Sequence, residues 1–116
     1  MPKYMLFLHE DQGQFDGRSR DEMMKVIKEY GAWAAKMREE KRFVGGEKLA
    51  DDTGKVLRPK GSKIVVTDGP YAESKEIVGG YFAITARDYD EACTIAKACP
   101  HLKYGGRVEV RQIHEL

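Results

Sequence analysis

Residues 3–8 read KYMLFL. Successive side chains of an extended chain alternate, so Tyr4, Leu6 and Leu8 share one face while Met5 and Phe7 share the other. A strand that is apolar on both faces is buried on both sides and central in its sheet. Residues 78–85 repeat the property, with Tyr81 and Ala83 set against Phe82 and Ile84.

The segments around these two strands supply the other elements. Ser19-Arg20-Asp21-Glu22 fits a capping box, in which the serine hydroxyl accepts from the backbone of Glu22 and the glutamate reaches back. The helix it opens carries a stripe of Met23, Ile27, Tyr30, Ala34 and Met37 at spacings of three and four, and is expected to end near Arg42. FVGGEKL (43–49) reads as a second strand, followed by a turn at 51–54. Residues 55–58 and 63–67 read as a short hairpin turned at Lys60-Gly61. Asp88 caps a second helix with the stripe Ala92, Ile95, Ala96 and Cys99, which Pro100 stops. The last strand, 108–113, alternates Val108 and Val110 with Glu109 and Arg111, as a more exposed strand does.

The order is β-α-β-(hairpin)-β-α-β in one domain, 1–116, an α+β chain with the split βαβ pattern of ferredoxin-like folds. Two helices cover one face of a four- or five-stranded sheet, yet several strands are apolar on both faces. The uncovered face needs a partner, and a second copy of the same sheet is the simplest one. A homodimer with face-to-face sheets is therefore expected.

Composition narrows the function. With 41% apolar and 34% charged residues, the 116-residue chain suits a soluble globular domain. Twenty basic and 19 acidic residues leave a net charge of +1, and they are interspersed, so there is no electrostatic footprint for nucleic acid. No apolar run approaches the roughly 20 residues of a membrane span. The opening MPKYMLFLHEDQGQ lacks the apolar length and cleavage site of a signal peptide. Cys93 and Cys99, six helical steps apart on one expected helix, stand about 9 Å apart along its axis, beyond disulfide reach. They read as reduced thiols of a cytoplasmic protein, with Cys93 packed in the core. His9, Cys93, Cys99, His101 and His114 form no recognised zinc spacing, so no metal is expected. The pairs Gly45-Gly46, Gly79-Gly80 and Gly105-Gly106 belong to neither a GxGxxG motif nor a P-loop, so no nucleotide cofactor is expected. They read as bulges or close backbone approaches.

Chemistry gathers at 67–76, TDGPYAESKE. Asp68-Gly69-Pro70 makes a turn with a mechanism, because aspartate accepts nearby backbone N–H groups and glycine and proline set the dihedrals. A turn does not require Tyr71, Glu73, Lys75 and Glu76 to follow it. Asp68 and Glu73 are candidate acid/base groups if they converge on one cleft, where proximity or burial raises one carboxylate's pKa. His9 shares the alternation of Met5 and Phe7 and is the candidate base at a cleft rim, with Glu10 and Asp11 to orient it or simply solvated. Tyr71, Lys75, Tyr81 and Trp33 are candidate binding residues. Tyr81 joins Tyr4, Met5, Phe7, Trp33 and Phe82 in a set that serves a pocket wall or an ordinary core. Trp33, off the main helix stripe, is a candidate for the dimer edge.

The stretch TDGPYAESKE resembles the DGPF motif of the YCII-related family, with Tyr71 for its phenylalanine and Ser74 for the threonine of its Ala-Glu-Thr-Lys-Glu-like tail. KYMLFL, FVGGEKL, IVGGYFAI, ACP and KYGGRVEVRQI are similar to that family in the same order. The resemblance implies a dimeric α+β barrel among small bacterial proteins, many of unknown function and often encoded near extracytoplasmic-function sigma factors. Some of the family carry a His-Asp pair in the dimer cleft, the histidine on helix one. Here helix one has no histidine, and Tyr30 and Trp33 lie near the comparable position. Two readings follow. One is a cofactor-independent acid/base enzyme acting on a small organic molecule, with His9 as base, Asp68 as its partner and Glu73 as acid. The other is a non-catalytic small-molecule-binding or regulatory dimer.

Overall fold

The computed structural model describes residues 1–52, 54–69 and 76–116. Tyr71, Glu73 and Lys75, and the Asp68-Gly69-Pro70 turn beyond Gly69, lie outside the described residues. The chain is α+β: β1 (Lys3–Asp11), α1 (Arg20–Glu39), β2 (Phe43–Lys48), β3 (Lys55–Lys60), β4 (Lys63–Asp68), β5 (Glu76–Thr85), α2 (Tyr89–Ala96), α3 (Pro100–Lys103) and β6 (Arg107–Gln112). Four strands form an antiparallel sheet in the order β2-β5-β1-β6, and β3-β4 is a separate two-stranded ribbon. The two strands that are apolar on both faces are the two central ones.

The pleat divides the residues of β1. Tyr4, Leu6 and Leu8 are buried under the helices with Phe82 and Ile84 of β5, and α1 adds Trp33, Ala34 and Met37 to the same core. Met5, Phe7 and His9 pair in register with Ala83, Tyr81 and Val78 and with Arg111, Glu109 and Arg107. Directly opposed residues of antiparallel strands share a face, so this is the face the helices leave uncovered.

Both caps form as their residues dictate. Ser19 Oγ accepts from the Glu22 amide at 3.1 Å while Glu22 accepts from the Ser19 amide, and Asp88 accepts from the Glu91 amide at 2.9 Å. The second helix differs from expectation. It ends at Ala96, and Pro100 opens α3 at a position that tolerates its missing N–H. Cys93 is consequently exposed on α2, and it is Cys99 that packs in the core. The α1 stripe is rotated too: Val26 and Trp33 are buried, and Ile27 is 51% exposed.

The glycine pairs mark bulges and close approaches. The β1–β5 register slips at Gly79, and a Cβ on Gly80 would sit 2.7 Å from the Glu47 carbonyl oxygen of β2. A Cβ on Gly46 would meet the Phe82 ring at 2.7 Å.

Candidate functional site

A cavity of about 270 Å³ lies between α1 and the β2-β5-β1 part of the sheet, with Gly46, Gly79 and Gly80 in its wall. At ~30 Å³ per molecule this is room for about nine waters, or one small organic molecule. Leu8, Val26, Ile27, Ala34, Phe43 and Phe82 line its body. A few polar groups converge on it, as in small-molecule sites generally: Glu10, Tyr30, Arg38 and Lys48.

Glu10 arrives because β1 carries on past Leu8 and the alternation that buries Tyr4, Leu6 and Leu8 places Glu10 on the same side. Its carboxylate lies against Gly79, where a Cβ would overlap Oε1. Burial, against the weaker opposing pull of Lys48 and Arg107, raises the Glu10 pKa above the ordinary carboxylate value. A carboxylate shifted in this direction holds a proton more readily than an exposed one does, which suits it to proton transfer.

Tyr30 is held from behind. The His101 Nε2–H donates to the His9 carbonyl oxygen at 2.7 Å, which leaves Nδ1 as the acceptor for the Tyr30 hydroxyl at 2.8 Å. His101 is 1% exposed, and burial lowers its pKa, favouring the neutral ring this chain of bonds requires. A Cβ on Gly106 would come within 2.2 Å of His101 Nε2, so glycine there admits the ring. Burial also raises the Tyr30 pKa, so its hydroxyl remains protonated. At the mouth, the Arg38 guanidinium lies 4.2 Å over the Phe43 ring and Lys48 pairs with Asp51 at 3.1 Å.

The residues expected from sequence are dispersed. The His9 side chain is on the uncovered sheet face, where Nε2–H donates to Glu109 Oε1 at 2.8 Å; only its backbone carbonyl supports the cavity. Glu10 and Asp11 do not orient it: Glu10 enters the cavity and Asp11 pairs with Arg107 at 2.9 Å. Asp68 is exposed at the base of the ribbon and pairs with Lys55, so the structure does not pair His9 with Asp68. Tyr81 is among the residues that line the cavity, but its register opposite Phe7 puts its side chain on the uncovered face. Trp33 is not at an edge but in the core, its ring edge-on to Phe82 at 4.9 Å. His101 is the residue that sequence reasoning missed. Among the described residues no group of three or more metal-ligating side chains comes together, and no helix is long and apolar enough to cross a membrane.

Fold and cavity together define a small α+β protein with a helix-roofed pocket against an antiparallel sheet. The family model of the YCII-related domain matches residues 2–116, and the chain belongs to that family. It is similar to an uncharacterized protein of Rhizobium meliloti (strain 1021), 27% identical over 95 residues that span 81% of this chain and 77% of that one.

Gly31 of α1 also lines the cavity, and a Cβ on it meets nothing within 4 Å. Glycine inside a helix costs up to about 1 kcal/mol relative to alanine. Gly31→Ala is therefore expected to stabilise the fold by close to that amount, read as a higher midpoint in urea unfolding.

Proposed function

We propose that this YCII-related protein, of the DGPF-type subgroup by its Asp68-Gly69-Pro70-Tyr71 motif, binds a small, largely apolar organic molecule in the α1–sheet cavity. There it moves a proton without a cofactor. The observation that carries this reading is the convergence of a carboxylate of raised pKa, Glu10, and an anchored hydroxyl, Tyr30, on an apolar cavity. Glu10 takes the role expected of His9, because Glu10 lines the cavity whereas the His9 side chain pairs with Glu109 and only its carbonyl holds His101. The Tyr30 hydroxyl, its proton committed to His101, offers an oxygen lone pair to a donor on the ligand and fixes its orientation. The apolar body excludes water, which strengthens both interactions.

The assay is deuterium uptake. Small ketones and other carbon acids are incubated with the protein in D₂O, and loss of the α-proton signal is followed by NMR. Glu10→Gln, which keeps the shape and removes the base, is expected to lower exchange by at least about 100-fold, the usual worth of a positioned acid/base group. Exchange unchanged in Glu10→Gln contradicts the assignment. Binding without exchange supports the second reading, a non-catalytic small-molecule-binding or regulatory dimer linked to an extracytoplasmic-function sigma factor. That reading is favoured by one observation: α1 contains no histidine.

The same proposal includes a cytoplasmic homodimer of ferredoxin-like chains forming an α+β barrel. The strand order β2-β5-β1-β6, the helices confined to one face and the apolar Met5, Phe7 and Tyr81 on the other support it.

A further inference from the structure

The β3-β4 ribbon stands out from the fold. All six residues of β4 are exposed, and only Val56 of β3 is half-buried. Opposed pairs sort its side chains by face. Leu57 and Val66, then Pro59 and Ile64, lie on one face; Val56 and Thr67, Arg58 and Val65, then Lys60 and Lys63, lie on the other. The first face is an aliphatic stripe in which Leu57 is 62%, Ile64 63% and Val66 58% exposed. An isolated two-stranded ribbon is at best marginally stable in water and needs a surface to pack on.

The whole molecule carries the same excess. Its accessible surface is 8215 Å², where a compact monomer of 13.2 kDa has about 6,400 Å². Its radius of gyration is 16.0 Å, where about 13 Å is usual for this length. The surplus of roughly 1,800 Å² exceeds the ~800 Å² per partner of a standard interface and suits an obligate dimer.

We propose that the ribbon is an exchange arm, its Leu57/Pro59/Ile64/Val66 face laid on the uncovered sheet face of a second copy of this chain. The proposal rests on the homodimer reading above and adds to it the element that holds the dimer together. Six residues per strand give the arm a reach of about 20 Å, enough to bridge the ~10 Å between two packed sheets and touch the second copy beside them. The surface it meets includes Met5, Phe7 and Tyr81. Lys60 and Lys63 at the tip disfavour edge-to-edge strand addition, so the contact closes as a two-fold pair and does not propagate.

Sedimentation equilibrium over a range of protein concentrations tests this, with wild type beside a variant carrying Leu57→Ser, Ile64→Ser and Val66→Ser. Circular dichroism checks that the variant keeps its fold, which is expected because these side chains lie outside the core. The wild type should sediment at twice the chain mass, and the variant's dimer should dissociate at concentrations at least about 100-fold higher, from the loss of three buried aliphatic side chains. Amide exchange should find β3 and β4 protected in the dimer and open on dilution. Unchanged dimer affinity in the variant overturns the arm and leaves the homodimer standing. A monomeric wild type overturns both, and a ribbon protected in that monomer means that it packs on its own chain.

Discussion

His101→Ala is expected to lower the unfolding free energy by about 3 kcal/mol at neutral pH, from two buried partners left unsatisfied and the space of an imidazole. The His9 carbonyl oxygen and the Tyr30 hydroxyl both lose their bond to the ring. The deficit is also pH-dependent. Burial holds the folded-state pKa of His101 below its ordinary 6.5, so in acid the unfolded chain binds a proton that the native chain refuses. Stability therefore rises with pH across that window. The contribution of His101 is complete above pH 6.5 and is lost as pH falls through the lower, folded value. Glu10, with its raised pKa, acts in the opposite direction above 4.5, but it is present in both proteins and cancels in their difference. Urea unfolding of wild type and variant at pH 7.5 and pH 5 should give a smaller gap at pH 5. A gap that does not change with pH contradicts a neutral, buried His101.

Leu6→Ala should cost a similar amount, about 3 kcal/mol within the 2–5 kcal/mol usual for fully buried leucines. Leu6 is 0% exposed in β1, one of the two central strands, in register with Phe82 on one side and Val110 on the other. Neighbours fixed by two ladders of hydrogen bonds collapse poorly into the space a leucine leaves. Thermal unfolding should show a fall in Tm on the order of ten degrees. A change of one or two degrees would mean that β1 is not central in the core.

These two predictions also mark what the sequence made legible. The position of Leu6 was readable from KYMLFL alone, because apolar residues on both faces of a strand mark it as central in its sheet. Caps were equally local: Ser19 and Glu22, or Asp88, act within three residues of themselves. The α1 stripe was misplaced because helical spacing does not say which of two adjacent apolar sets the sheet will take. Trp33 filled the space over Phe82, and Ile27 was left beside the cavity. His101 gave no local sign. Its partners lie 71 and 92 residues away, and a lone histidine after a proline has no periodicity to reveal its direction. Glu10 had such a sign, since the alternation of Tyr4, Leu6 and Leu8 extends to it by one more step. His9 is chemically more conspicuous, but its side chain belongs to the other face.

The central claim is that the cavity under α1 takes a ligand. Titration of ¹⁵N-labelled protein with small phenols tests it most directly, comparing wild type with Gly31→Leu, which puts a side chain into the cavity from an open position on α1. Saturable shifts are expected at the amides of Glu10, Tyr30, Gly79, Gly80 and His101, and they should disappear in Gly31→Leu while the remaining spectrum is retained. Shifts scattered over the surface, or shifts at these amides that persist in Gly31→Leu, would contradict it.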